Sequence, residues 1–231
     1  MSDRSNLIEL AVEQLRSRIR SGEWKVGERI PTEPLLVELL GVGRNTVREA
    51  VQSLVHSGLL IRRQGSGTYV KSTSEMSVAI GRQFEDAHYV HILEVRRSLE
   101  VEAARLAARN RTDKDIAAIR TANQERHRAF ASGDLDGMVS ADMALHNAIA
   151  SASKNPVLAS LYESLTEAVS HTIRMNVETI LRSHVNDDHD DLVDAIIMGD
   201  PFLAMEEMGS YLESYIESRA TPRGRDAVAV R

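Results

Sequence analysis

A glycine-containing turn at residues 41–43 separates two short stretches of helical apolar spacing, and this arrangement limits the possible fold more than any other feature of the chain. From about Arg44 onward, apolar residues recur at positions i, i+3, i+4 and i+7, which predicts a helix with one buried face. These apolar positions are Val47, Ala50, Val51 and Leu54. Residues 32–40 predict a shorter helix that ends at Gly41. Together the two stretches predict a helix-turn-helix.

The second helix carries polar residues near its N-terminal end, where a helix-turn-helix reads DNA. They are Arg44, Asn45, Thr46 and Arg48. Arginine can bond O6 and N7 of guanine together, or bind one phosphate through two nitrogens. Taken alone, such residues also describe an ordinary solvated helix face. They become informative through the segment that follows them.

Residues 59–70 predict two short apolar strands around a turn formed by Gly65, Ser66 and Gly67. Arg62 and Arg63 make this hairpin basic. A basic hairpin directly after a helix-turn-helix indicates a wing, whose glycine-rich tip can approach a groove of DNA closely. The alternative is an ordinary surface hairpin.

The first 70 residues resemble the GntR family of bacterial transcription regulators. The residues that carry the resemblance are Gly27-Glu28-Arg29-Ile30-Pro31-Thr32-Glu33, Gly41-Val42-x-Arg44-x-x-Val47-Arg48-Glu49-Ala50, Leu54, Gly58-Leu59 and Gly65-x-Gly67. The resemblance implies DNA contacts from Arg44 and Arg48 on the recognition helix and from residues 65–67 in the wing. We extend this prediction to Asn45, Thr46, Arg62 and Arg63.

Two positions depart from the family pattern. Gly43 stands where the family usually has a serine that caps the recognition helix, and glycine is an acceptable N-cap that costs only a few tenths of a kcal/mol. Pro34 stands where many members have an arginine that contacts DNA. Because proline is tolerated in the first turn of a helix, the fold is preserved while that contact is lost.

Charge is distributed unevenly along the chain. The net charge is −6, but residues 1–72 carry 11 Lys and Arg against 8 Asp and Glu, while the remainder carries 17 against 26. This asymmetry fits a DNA-binding head joined to an acidic body. There is no cysteine, which excludes disulfides and thiolate metal sites. No apolar run approaches the roughly 18 residues of a membrane span, and we expect a cytoplasmic protein.

The rest of the chain shows only helical periodicity, and its low aromatic content of 4% favours helices packed through Leu, Ala and Val. Six or so helices with short connections predict an antiparallel bundle. The predicted fold is mainly α, with a winged helix-turn-helix before the bundle. The predicted domains are a DNA-binding domain over residues 1–72, a linker over 73–83, an effector-binding and dimerisation domain over 84–218, and a disordered tail over 219–231.

This second half resembles the FCD effector domain of the FadR subfamily of GntR regulators. The residues that carry the resemblance are Glu94-Val95-Arg96-x-x-Leu99-Glu100, Ala107-Ala108, Asp142-x-x-x-His146, Asn155-Pro156, His189-x-x-x-Val193-x-Ala195-Ile196 and Gly199-Asp200. The resemblance implies a small-molecule effector in the helical domain. It also implies that Arg96 lines the effector cavity, although Arg96 and Glu100 at i, i+4 equally predict an intrahelical salt bridge.

Asp142 and His146 lie four residues apart, so their side chains share one helix face and can converge on one ion. His189 can supply a third ligand. A carboxylate with two imidazoles favours a divalent transition metal, with Zn²⁺ or Ni²⁺ foremost; the alternative is a plain Asp–His hydrogen bond. The family often has a further histidine at the position of Tyr211, which makes Tyr211 a doubtful fourth ligand.

The combined prediction is a homodimeric repressor that binds a palindromic DNA operator and whose affinity for it is set by a small organic acid, such as lactate or a sugar acid. Two alternatives remain open at this point. One is a regulator that responds to an acyl-CoA without metal. The other is a metallohydrolase, since an open metal position with bound water is the minimal requirement for hydrolysis.

Overall fold

The computed structural model describes residues 2–170, 173–175, 177, 178 and 189–220. The chain divides into two compact units, Met1–Arg82 and Gln83–Arg231. The first unit contains the only sheet found in the described residues, and the second is helical throughout its described part. The predicted fold class, mainly α with a small two-stranded wing, is confirmed.

The first unit combines a helical core with a hairpin. Its elements are α1 (Ser2–Arg20), α2 (Glu33–Leu40), α3 (Arg44–His56), β1 (Leu60–Arg63), β2 (Gly67–Val70) and α4 (Glu75–Phe84), the last two residues of α4 falling in the second unit. The apolar face predicted for the second helix is buried in one cluster with residues from α1, α2 and both strands. The turn between α2 and α3 begins at Gly41, whose φ of 65° closes α2 in the left-handed conformation. The helix-turn-helix therefore forms as the spacing predicts.

The two strands pair antiparallel, with Leu60 opposite Val70 and Arg63 opposite Gly67. A third segment runs along the other side of β2. The N–H of Ile30 donates to the carbonyl of Thr68, and the N–H of Val70 donates to the carbonyl of Glu28, both at 2.9 Å. The wing is therefore anchored at its base by the chain that leads into α2.

The segment predicted as a linker differs from the structure, because α4 occupies most of it. The hydroxyl of Ser74 accepts hydrogen bonds from the N–H groups of Met76 and Ser77 and so caps the helix. Arg16 on α1 pairs with Glu75 at 2.9 Å. The Ser- and Thr-rich composition thus marks a capped helix start that belongs to the first unit.

Gly58, just after α3, gives a first test of this packing. Its φ is +84°, and a Cβ atom there would lie 2.7 Å from Cγ1 of Val78 on α4. We expect Gly58→Ala to lower the free energy of unfolding by about 1 kcal/mol through backbone strain and by a further 1–3 kcal/mol, roughly, through overpacking. Chemical denaturation of Gly41→Ala is the control, because Gly41 has a φ of +65° but a Cβ atom added there would meet no atom within 4 Å. Equal losses in the two variants would contradict the packing of α4 against Gly58.

The second unit is built from six helices whose bounds are described. They are α5 (Tyr89–Asn110), α6 (Asp113–Ser132), α7 (Leu135–Ala152), α8 (Pro156–Ala168), α9 (Asp190–Met198) and α10 (Pro201–Ala220). The most extensive contacts run between α5 and α10 and between α6 and α7. Small residues of α5 such as Ala104 and Ala107 are fully buried in the same cluster as Leu145 of α7 and Ile196 of α9. This close packing brings the polar residues of α5, α6, α7 and α9 together.

The end of the chain departs from the predicted boundary. The helix α10 continues to Ala220, two residues into the predicted tail. The remainder of that prediction, residues 221–231, lies outside the described residues.

Candidate functional site

The predicted DNA-reading residues of α3 occupy its solvent side. Arg44, Asn45 and Arg48 are exposed. Thr46 is only 8% exposed, so most of its side chain is withdrawn from solvent, and its contact with DNA stays a prediction. Nε of Arg48 lies 3.7 Å from Oε2 of Glu33, with both side chains largely exposed. Because such an exposed pair is weak and screened by salt, it leaves the Arg48 guanidinium available to a phosphate or a base.

A groove of about 560 Å³ lies between α3 and the wing. Its lining residues are Arg48, Glu49, Gln52, Ser53, His56 and Arg62. It places an arginine of the recognition helix and an arginine of β1 on one open surface. The guanidinium groups of Arg48 and Arg62 therefore line the same open groove.

The wing tip is held by its own side chains. Arg62, Arg63, Gly65 and Ser66 are exposed, and Gly67 is half-buried. The guanidinium carbon of Arg63 lies 4.4 Å from the centre of the Tyr69 ring, a cation–π contact. The Tyr69 hydroxyl also lies 2.6 Å from Oγ of Ser66. The tip is thus ordered around Tyr69 while its basic groups remain at the surface.

In the helical unit, Asp142, His146 and His189 come together in the interior. Asp142 and His146 lie on α7, one turn apart, and His189 is the residue that precedes α9. All three are 2–3% exposed. Each offers one ligand atom, and these atoms lie within 4.8 Å of one another. The structure therefore assembles the three residues that the sequence predicts as metal ligands.

The two imidazoles face each other. Nε2 of His146 lies 3.0 Å from Nε2 of His189. Burial, with Arg126 and His146 nearby, holds the pKa of His189 well below its usual value, so this ring is neutral. Burial opposes the charged form of His146 as well, but the Glu100 carboxylate outweighs it and raises the pKa of His146.

Glu100 of α5 connects this pair to a second layer of buried charge. Its Oε2 lies 3.1 Å from Nδ1 of His146, and its Oε1 lies 2.9 Å from Nη2 of Arg96. The Tyr162 hydroxyl of α8 donates to Oε1 at 3.0 Å. Burial alone would raise the pKa of Glu100, but Arg96 and His146 outweigh burial and lower it to about 2. Glu100 is therefore ionised in the interior, with its Oε2 beside Nδ1 of His146.

Arg126 on α6 is a functional residue that was not predicted from the sequence. It is 1% exposed, and its Nε donates to Oδ1 of Asp142 at 2.7 Å. Burial raises the pKa of Asp142, but His146 and Arg126 together outweigh burial and lower it to about 2. A signal was present in the sequence: Arg126 shares one helical face with the buried Ile119 and Asn123. An arginine at an inward-facing position implies a buried acidic partner.

Tyr211 on α10 lies beside the histidines. Its ring centre is 4.4 Å from that of His189 and 6.0 Å from that of His146. A pocket of about 170 Å³ adjoins it and reaches His189. The other lining residues are Asp191, Leu192, Glu207, Ser210 and Ser214. Tyr211 and His189 therefore line one pocket at the edge of the cluster.

Arg96, predicted to hold the effector, makes the intrahelical ion pair that was weighed as its alternative. Its Nε and Nη2 both lie 2.9 Å from Oε1 of Glu100. Its Nη1 is buried and has no hydrogen-bond partner among the described residues. The Nε–Nη2 edge of the guanidinium thus binds Glu100, and Nη1 remains as a donor for a ligand.

The residues present fit a divalent transition metal. Two nitrogens bound at about 2.1 Å to one octahedral ion, at a right angle, lie about 3.0 Å apart, which is the separation of the two Nε2 atoms. A carboxylate on the far nitrogen of a ligating histidine is the usual second partner of such a site, and Glu100 stands there. Asp142 accepts from Arg126 through Oδ1, which leaves Oδ2 as its candidate ligand atom. Among the described residues, Asp142 and His146 do not form the hydrogen bond with each other that was the alternative; their partners are Arg126 and His189.

A winged helix-turn-helix followed in one chain by a helical unit with a buried, ligand-ready cluster defines a class of protein, a DNA-binding regulator that carries its own sensing domain. The model of bacterial regulatory proteins of the gntR family matches residues 7–70, and the model of the FCD domain matches residues 91–214. The chain belongs to the GntR family of transcription regulators and carries an FCD effector-binding domain. The resemblance drawn from the sequence is confirmed.

Individual relatives agree with this assignment. The chain is 32% identical to the HTH-type transcriptional regulator LutR of Bacillus subtilis over 206 residues, which are 84% of this chain and 92% of the relative. It is 32% identical to the putative L-lactate dehydrogenase operon regulatory protein of Escherichia coli over 213 residues, or 87% and 81%. A solved structure, Streptococcus agalactiae GntR, aligns with a TM-score of 0.53 at 28% identity and covers 91% of this chain and 99% of that one.

These matches are to regulators, so the chain is a transcription regulator and the metallohydrolase alternative is wrong. None of the described helices is both long enough and apolar enough to cross a membrane.

Proposed function

We propose that this regulator is a homodimeric repressor whose affinity for a palindromic operator is controlled by a small carboxylate bound, together with a divalent metal, in the helical unit. The observation that carries the proposal is the buried convergence of Asp142, His146 and His189 beside the uncommitted Nη1 of Arg96. Burial of so many ionisable groups is expensive unless they are paired or bind a ligand. A ligand that is both anionic and metal-binding matches what the cluster leaves open.

On the DNA side, the exposed groups of α3 and the wing support the proposal. Arg44, Asn45 and Arg48 would meet bases and phosphates from the recognition helix, and Arg62, Arg63 and residues 65–67 would follow the adjacent backbone. In a dimer, two such heads meet half-sites about one helical turn apart. A ligand that favours one arrangement of the helical unit would therefore change the spacing of the heads and the affinity for the operator.

On the ligand side, Asp142, His146 and His189 would hold the metal, which would supply a Lewis-acidic centre for a carboxylate oxygen. Glu100, 3.1 Å from Nδ1 of His146, would orient that ring in the metal-bound state, and Arg126 orients Asp142 through its bond to Oδ1. Nη1 of Arg96 would donate to the effector. Tyr211 stands at the position of a further family histidine, beside His189, and would line the adjoining pocket rather than complete the ligand set. The name of the Escherichia coli relative, an L-lactate dehydrogenase operon regulator, favours a short hydroxy acid such as lactate.

The proposed metal binding is tested by elemental analysis of the purified protein after dialysis against a weak chelator. We expect about one Zn²⁺ or Ni²⁺ per chain in the wild type, because three buried ligands converge, and none in Asp142→Ala/His146→Ala. His91→Ala is the matched control, since His91 is exposed on α5 and lies outside the cluster, and it should retain the metal. Circular dichroism of each variant establishes that the helices are intact.

The same proteins are then titrated with L-lactate while binding to the operator is followed. In the wild type the acid is expected to shift the dissociation constant by roughly 5- to 150-fold, the usual range of allosteric coupling, and the metal-free variant should not respond. If the wild type contains no metal and L-lactate still shifts its dissociation constant for the operator, the proposed role of the metal is wrong. A response to acyl-CoA in place of short acids would support the alternative regulator.

A further inference from the structure

The side chain of Arg29 lies directly against the wing. A Cβ atom placed on Gly67 would lie 2.5 Å from Nε of Arg29, 3.1 Å from Cζ and 3.2 Å from Nη2. Gly67 also has a φ of +124°, which L side chains rarely adopt. Glycine at this position therefore leaves the space that the guanidinium fills.

The backbone fixes where Arg29 stands. Arg29 forms an antiparallel bridge with Tyr69 of β2. The neighbouring residue Ile30 donates its N–H to Thr68 at 2.9 Å. Arg29 is thus held along the free edge of the hairpin, beside the strand that carries Tyr69, which orders the wing tip.

No acidic side chain neutralises Arg29 among the residues that the structure describes. Its side chain is exposed, and it takes part in none of the ion pairs found there. Glu33 lines the same shallow groove of about 210 Å³ as Arg29 and Gly67, but its carboxylate lies 3.7 Å from Nε of Arg48. An exposed guanidinium that is held in place without a partner is suited to bind a phosphate.

This groove lies where the chain enters α2. Besides Arg29 and Gly67 it is lined by Thr32 and Glu33 at the start of α2. The next residue is Pro34, which carries no charge.

We propose that Arg29 is a phosphate-binding residue of the DNA interface, positioned against the wing by Gly67. The inference rests on the proposed use of α3 and the wing to bind DNA. Arg29 adds a contact beside β2 of the wing, on the side of the hairpin opposite β1. Gly67 is therefore required for the placement of Arg29 as well as for the turn.

The probe is a fluorescein-labelled duplex selected by the wild-type protein from a random library, and the dissociation constant is measured between 50 and 200 mM salt. For Arg29→Ala we expect roughly 5- to 30-fold weaker binding and a salt slope lower by about one unit per head. Arg29→Lys keeps the charge and should keep the slope. Arg20→Ala, which removes an exposed arginine at the end of α1, should match the wild type.

Arg44→Ala/Arg48→Ala is measured in the same series, so that the proposed DNA surface and the role of Arg29 can fail separately. If this variant binds as the wild type does, the proposed DNA surface is wrong. If it loses binding while Arg29→Ala keeps both the affinity and the salt slope of the wild type, the inference about Arg29 is wrong and the proposed surface stands. Equal weakening by Arg29→Ala and Arg29→Lys with an unchanged slope would also overturn it, because Arg29 would then only support the fold of the wing.

Discussion

Replacing Glu100 with glutamine is expected to lower the free energy of unfolding of the helical unit by about 3–5 kcal/mol, the usual result of breaking a buried ion pair from one side. The side chains of Arg96 and Glu100 are 1% and 2% exposed, so neither can turn to water when its partner is lost. Glutamine keeps the volume and one acceptor oxygen but leaves the Arg96 guanidinium charged in the interior. Urea denaturation followed by circular dichroism measures the loss.

The chain supplies a matched control two residues away. Glu102 lies on the same helix and pairs with Arg105 at 2.6 Å, but both side chains are substantially exposed. Glu102→Gln should therefore change stability by no more than about 1 kcal/mol. Similar losses in the two variants would show that the charge of Glu100 is not isolated from solvent.

Acid provides a second readout of the same pair. The pKa of Glu100 is about 2 in the folded chain against a reference value of 4.5. A carboxyl with a depressed folded-state pKa stabilises the fold fully above its unfolded pKa and loses this contribution as the pH falls through its folded pKa. The stability difference between the wild type and Glu100→Gln should therefore shrink between pH 4.5 and pH 2.

The helix-turn-helix and the wing could be predicted from the sequence because their signals are local. The spacing from Val47 to Leu54 sets one buried helix face, and Gly41 ends the preceding helix in a left-handed conformation. The same local reasoning placed Asp142 and His146 on one face of α7. Spacing alone does not join residues that are far apart in the chain. His189 entered through the family resemblance, and the packing of α9 against α5 and α6 places its Nε2 3.0 Å from that of His146.

Other features depend on tertiary structure and could not be settled from local patterns. The partner of Asp142 is Arg126, sixteen residues earlier on another helix, and no local pattern joins the two. Nε of Arg96 donates to Glu100, whereas its Nη1 has no hydrogen-bond partner among the described residues. Arg96 can therefore form the salt bridge and still donate to an effector. Thr46 lies in a polar stretch but is buried, because the first turn of α3 rotates it away from the exposed face.

Replacing Arg44 and Arg48 together with alanine is expected to weaken operator binding by about 30-fold to 10⁴-fold, because each good arginine contact contributes roughly 1–3 kcal/mol. Both side chains are exposed on the solvent face of α3, and Arg48 also faces the groove that it shares with Arg62. The measurement is a titration of the selected duplex at several salt concentrations. Loss of phosphate contacts lowers the salt slope, whereas loss of base contacts reduces discrimination between the selected duplex and a scrambled one.

The control for this variant is Arg105→Ala/Arg109→Ala, which removes two arginines at the same four-residue spacing from α5 in the helical unit. It changes the net charge equally, so any general electrostatic effect on DNA affinity appears in both variants. If α3 reads the operator, only Arg44→Ala/Arg48→Ala loses discrimination between the selected and the scrambled duplex. Equal losses in the two variants would mean that the protein attracts DNA through its overall field, and the specific contacts would then have to come from the wing.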